Sequence, residues 1–164
     1  GETGTFSLFE GAKFLNTVSR YCNFDHVDAR LVDFSGASFE QCSFSGADLS
    51  RSLFDATQMG SVNLPWANLD NSSFKYSDFS GANFQHASFV GASFEYCDLS
   101  RADFHRALFP GAEFGNKVNM QGACLEDSVG WSTVADLDIQ MSPESREVVG
   151  KLARAENPEE GGER

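Results

Sequence analysis

The sequence predicts an all-β solenoid whose backbone turns a corner once every five residues, and two registers carry that prediction. From Phe34 through Phe39, Phe44, Leu49, Phe54, Met59, Leu64 and onward to Phe109 and Phe114, every fifth residue is Phe, Leu or Met. The residue two before each of these is small or slim, as in Ala37, Cys42, Ala47, Ser52, Thr57, Val62, Ala82 and Ala102. In an α-helix five residues advance about 500°, so successive large residues would land about 140° apart; in a flat strand an odd period would alternate them between faces. A corner in every repeat resolves the conflict. Two of every five side chains then face in and three face out.

The elements follow in order. Residues 1–33 read as irregular first coils: Phe9, Phe14 and Phe24 keep the frame, while Ser19 and Ala29 occupy inward positions. Residues 34–131 form the regular repeat. After Phe114 one residue is inserted, and the pattern resumes as Val118-Asn119-Met120, Ala123-Cys124-Leu125 and Ser128-Val129-Gly130, with Trp131 closing it. Residues 132–156 read as a cap with a helix near 142–155. Ser142 is its candidate N-cap and Pro143 suits the first helical position; Glu144 and Glu147 suit the N-terminal dipole, Lys151 and Arg154 the other end. Val148, Val149 and Leu152, with Ile139 and Met141 before them, give the helix an apolar side that can lid the raw end of the stack. A homodimer contact at the same C-terminal end is the alternative. Residues 157–164 lack an apolar anchor and read as a disordered acidic tail.

Composition narrows the function. The chain has 164 residues, 41% of them apolar, and no apolar run near membrane-spanning length. Its net charge of −12 opposes direct nucleic-acid binding and attraction to anionic membranes, and favours basic protein surfaces as partners. Cys22, Cys42 and Cys97 fall in the small inward register and read as small hydrophobes, whereas Cys124 points outward as a free thiol. No signal peptide is visible in residues 1–16, although the start Gly1-Glu2-Thr3-Gly4-Thr5 has the character of a remnant that replaced one. A cytoplasmic site is favoured, with a lumenal or exported site if a targeting segment was removed.

The segments Phe34-Ser35-Gly36-Ala37-Ser38-Phe39, Ser45-Gly46-Ala47-Asp48-Leu49, Ser80-Gly81-Ala82-Asn83-Phe84 and Ser100-Arg101-Ala102-Asp103-Phe104 closely resemble the pentapeptide repeat family. The family's consensus is Ala-Asp/Asn-Leu/Phe followed by two variable residues, and the resemblance covers about residues 5 to 130. It implies a right-handed, four-sided parallel β-helix with four repeats, or 20 residues, per coil and about six coils.

Residues 20 apart then stack on one face, which sorts the outward side chains. On the face centred on Phe24, Phe44, Leu64, Phe84 and Phe104, the second residue after each centre is His26, Gly46, Trp66, His86 and Arg106, with His105 and Gln85 alongside. This gathers all three histidines with an outward Trp, and it marks a partner-binding candidate; a decorated solvent face is the plainer alternative. A second face, centred on Phe34, Phe54, Phe74, Phe94 and Phe114, presents Asp33, Asp55, Glu95 and Glu113 with Lys75, and its neighbour adds Glu40, Asp78 and Asp98. Those acids resemble the strip that the quinolone-resistance branch of the family presents to DNA gyrase as a mimic of DNA. Against that, Asp and Asn before the large residue bond locally to the turn, and the frame from Phe34 to Phe114 has no projecting loop. No nucleophile elbow, phosphate-binding loop, zinc signature or CxxC is present, and a filled axis leaves no pocket. No catalytic residue, metal or cofactor is expected. The expected role is a noncatalytic module that binds another protein.

Overall fold

The computed structural model describes residues 9–131 and 140–156. The Gly1–Thr5 start, residues 132–139 of the expected cap and the acidic tail at 157–164 lie outside the described residues.

Each repeat turns at the second residue after its large inward one. There the backbone enters the left-handed region, at Gly36 with φ 69°, Gly46 with 63° and Gly81 with 66°. The Ala37 N–H closes the turn on the Phe34 carbonyl at 2.9 Å, and a positive φ at the third of four residues is the type II signature. Non-glycine residues take the same conformation in other repeats, among them His26, Trp66, Tyr76 and Arg106 with φ of 56–57°. That conformation costs an L-residue on the order of 1 kcal/mol. The ladder holds it in place, because each repeat bonds to the coil on either side: Phe44 N–H donates to Asn63 at 2.8 Å, and Ser43 N–H donates to Cys22 at 3.0 Å.

The ladder is parallel with an offset of 20, seen at Lys13–Asp33, Asn23–Ser43, Asp48–Asn68 and Asn83–Asp103. Strands are short because a corner follows within two residues. On one side β1 (Val18–Arg20) pairs with β2 (Ser38–Glu40); on the next, β3 (Ser73–Lys75), β4 (Ser93–Glu95) and β5 (Glu113–Phe114) pair in sequence order. Four repeats complete one coil, which gives a four-sided parallel β-helix. The stretch before Phe34 shares this ladder from Lys13 onward. Its departure from the regular pattern is one of burial: Phe9, Phe14 and Phe24 are only partly buried.

The axis is filled. Phe14, Phe34, Phe54, Phe74, Phe94 and Phe114 form one stack with centroids 4.8–5.4 Å apart, the spacing that the strand ladder imposes. Polar residues in the slim inward register are satisfied by backbone. Ser52 Oγ donates to the Ala29 carbonyl at 3.0 Å and accepts from Val32 N–H at 3.1 Å. Ser72 Oγ donates to the Leu49 carbonyl at 2.9 Å and accepts from Ser52 N–H at 3.2 Å. Thr57 and Ser77 hydroxyls bond back to Phe54 and Phe74 at 2.8 and 2.9 Å.

Past Phe114 the ladder offset becomes 21, as at Asp98–Asn119, Asp103–Cys124 and Leu108–Val129. Trp131 fills the last inward space, 4.5 Å from the Phe109 ring and 5.6 Å from that of Phe114, and its indole N–H donates to Ser128 Oγ at 2.9 Å. Helix α1 (Pro143–Glu156) follows Ser142, whose carbonyl accepts Arg146 N–H at 3.0 Å. Val149 and Ala153 of α1 are buried in the same apolar cluster as the axis, with Met141 and Leu152 packed beside them.

Candidate functional site

The left-handed corner residues project from the rod and stack in columns one coil apart. Trp66 and His86, 20 residues apart, lie in parallel at 5.2 Å with 4° between their planes. His105 meets the His86 ring edge-on at 6.1 Å, and its Nδ1 lies 4.0 Å from the Glu126 carboxylate. Arg106, next in the column, pairs with Asp127 at 3.5 Å. The structure thus brings Trp66, His86, His105 and Arg106 into one run. His26 stands apart: its ring leans over Gly46 and occupies the space that a side chain there would need. Among the described residues no group of three or more His, Cys, Asp or Glu side chains could hold a metal ion.

Glu126 and Asp127, which partner His105 and Arg106, were not singled out by counting in twenties. The signal was present in the one-residue insertion, which sets them 21 residues on. Two coils below Trp66, Asp25 was also missed. Its Oδ1 accepts from Ser43 Oγ at 2.5 Å and from Ser45 N–H at 2.8 Å, so the carboxylate reaches up to the coil of Gly46.

On the opposite corner Tyr76 and Tyr96 stack at 5.1 Å, with Lys117 Nζ 6.0 Å from the Tyr96 ring centre. The acids of that side and its neighbour are largely engaged. Asp33, Asp78 and Asp98 each accept the backbone N–H two residues on, at Ser35, Ser80 and Ser100, over 2.8–3.0 Å. The Ser35 side chain and N–H together hold the Asp33 carboxyl below the usual carboxylate range. Asp55 serves the coil above it instead, taking Ser73 Oγ at 2.7 Å and Lys75 N–H at 3.2 Å. Glu40 pairs with Arg20 at 2.7 Å, which lowers its pKa, and Glu95 lies 4.0 Å from Lys75. Glu113, in β5, is exposed.

An open groove of about 400 Å³ on the Leu49–Leu69 side is lined by polar groups including Arg30, Asp48, Arg51 and Asp70. Its acids are engaged: Asp48 accepts from Ser50 N–H at 3.1 Å, Asp70 from Ser88 Oγ of the next coil at 2.6 Å, and Glu10 lies 3.6 Å from Arg30. Among the described residues no helix is long and apolar enough to cross a membrane.

A side-chain-filled axis with periodic outer faces defines a four-sided solenoid of five-residue repeats. A profile for pentapeptide repeats matches eight copies, within residues 20–55, 33–71, 63–95 and 87–129, and the chain belongs to the pentapeptide repeat family of right-handed quadrilateral β-helices. A trypsin-treated variant of QnrB1, a plasmid-mediated fluoroquinolone resistance protein, aligns with TM-score 0.56 at 17% identity, over 87% of this chain and 88% of its own. A pentapeptide repeat protein from the Arabidopsis thaliana thylakoid lumen aligns at 18% identity and TM-score 0.43, over 88% of this chain and 78% of its own. A further one, from the cyanobacterium Cyanothece, aligns at 16% identity and TM-score 0.36, over 81% and 86%. At 17% identity the likeness to QnrB1 shows the fold alone. No curated protein matches the chain.

Proposed function

We propose that the protein is a noncatalytic, rigid interaction module that binds another protein through the face bearing Trp66, His86, His105 and Arg106, with His26 at its N-terminal margin. The observation that carries this reading is Trp66 itself. It is 61% exposed, yet ordered by stacking on His86, and it is the largest of the aromatic side chains that stand outside the axis with Tyr21, Tyr76 and Tyr96. Covering a side chain of that size is worth on the order of 1.5–3 kcal/mol to a partner. Trp and Arg are also the types that dominate binding energy at interfaces. Pull-down from the native source, with the Trp66→Ala, Arg106→Ala double variant as control, tests the reading. Loss of a captured protein with an unchanged melting midpoint supports it, and unchanged capture overturns the choice of face.

The second reading is a DNA-mimicking regulator of DNA gyrase. The net charge of −12 and the outward acids Asp33, Asp55, Glu95, Glu113, Glu40, Asp78 and Asp98 favour it, as does a fold shared with QnrB1. The turn and ion-pair duties of most of those acids weigh on the other side. Gyrase supercoiling that is indifferent to the purified protein removes this reading.

A further inference from the structure

We infer that the recess between Trp66 and His26 is a docking site for an arginine side chain of the partner, whose guanidinium stacks on Trp66 and pairs with Asp25. This rests on the reading that the Trp66 face is the binding surface.

His86 covers the Trp66 ring on the side toward the C-terminal coils. The other side of the ring turns toward the preceding coil, whose corner residue is Gly46 and carries no side chain. The backbone corners of His26 and Trp66 are two coils, about 10 Å, apart. The corner between them has no side chain, and the His26 ring leans into its place from below, so the gap is the space left between that ring and the 61%-exposed indole. The stack therefore breaks at one place, with an indole on one edge of the gap and an imidazole, laid against Gly46, on the other. Asp25 sits beside the gap at the level of the Gly46 corner, because its bonds to Ser43 Oγ and Ser45 N–H draw it up by one coil. Both bonds fall on Oδ1, which leaves Oδ2 for an incoming donor.

An indole face beside a carboxylate selects among ligands. A phosphate or a carboxylate meets Asp25 and a chain of net charge −12. An aromatic ring stacks but leaves the carboxylate unused. An ammonium reaches the carboxylate but is too strongly hydrated to lie flat on the ring. A guanidinium is planar, weakly hydrated and armed with donors along its edge, so it stacks and pairs at once.

Trp66 and Trp131 are the two tryptophans of the chain, and Trp131 is fully buried, so an emission change on titration reports Trp66. The probes are two acetylated, amidated peptides of equal charge, one alternating Gly with Arg and the other Gly with Lys, added to the full chain at physiological salt. The arginine peptide is expected to give a saturable change and to bind about tenfold more tightly than the lysine peptide. Asp25→Asn, which keeps the Oδ1 acceptor for Ser45 N–H, is expected to weaken the arginine peptide about tenfold at an unchanged melting midpoint. Equal binding of the two peptides, or indifference to Asp25→Asn, overturns the inference. If the arginine peptide fails while protein capture still depends on Trp66, the docking of arginine falls and the binding face stands. If capture ignores Trp66→Ala, the face falls as well.

Discussion

Gly11 and Gly130 share a positive φ, 70° and 95°, but answer to different constraints. A Cβ on Gly11 meets nothing within 4 Å, whereas one on Gly130 runs into the backbone of Phe109 and Pro110 on the coil below. Gly11→Ala is therefore expected to lower stability by about 1 kcal/mol, the left-handed cost alone, and Gly130→Ala by about 3 kcal/mol or more. Urea denaturation of both variants checks the contrast; equal losses would show that the contact with Phe109 and Pro110 is relieved at no cost. Titration argues at the same scale. Asp28 beside Arg30, Asp33 beside the Ser35 side chain and its N–H, and Glu40 beside Arg20 are all held below the usual carboxylate range. A depressed acid contributes stability that is present above its unfolded pKa and lost as pH falls through its folded one. The melting midpoint is expected to hold from about pH 7 to pH 5 and to drop below about pH 4. A midpoint that rises on acidification would contradict these pairings. Among thiols, burial pushes Cys97 up to about 12 while Cys124 is exposed. An alkylating reagent at pH 8 is expected to label Cys124 in the folded chain and to reach Cys97 only on denaturation, as peptide mapping would show.

At the level of the elements, the column of Phe rings is the least tolerant part. Phe74 lies between Phe54 and Phe94 with no exposure, so Phe74→Ala is expected to cost about 3–5 kcal/mol, and Phe74→Asp, which buries a carboxylate, to unfold the middle coils. A folded, equally stable Phe74→Asp chain would refute the inward assignment. This column was legible from spacing alone, because burial on a filled axis leaves an apolar trace at every fifth position. The coil-to-coil wiring was not. Asp33 and Asp55 are the same residue type on the same face, yet Asp33 serves its own turn and Asp55 serves the coil above. The difference lies in which side of the large residue each stands on and in whether the neighbour above is a Ser. Counting in twenties likewise assigned Trp66 and His86 to one face. It did not convey that the two rings stack while His26 tips onto Gly46, since that depends on rotamers and on the absence of a Cβ.

For the whole molecule, each coil touches only the coils above and below, so its stability is a sum of coil and interface terms. A central defect breaks two interfaces and a terminal one frays a single end. Phe14→Ala is accordingly expected to cost less than Phe74→Ala by about 1 kcal/mol or more, given that Phe14 is only partly buried. The chemical denaturation of the pair would show it; equal losses would argue for an all-or-none rod. The same geometry explains why function was harder to read than fold. Nearly all the Phe residues are taken up by the axis, whereas the exposed apolar groups, from Leu31 and Leu53 to Tyr76 and Trp66, are spread over the outer faces and single out no one surface. The extra residue near Gly115 carries a separate consequence. Gly115 N–H still donates to the Phe94 carbonyl at 2.7 Å and Tyr96 N–H still reaches the Asn116 carbonyl at 2.8 Å, so the edge swallows an added unit without dropping a rung. That edge is a natural splice port: a foreign loop grafted there would ride on the scaffold as cargo, leaving the coils on either side to close as they do now.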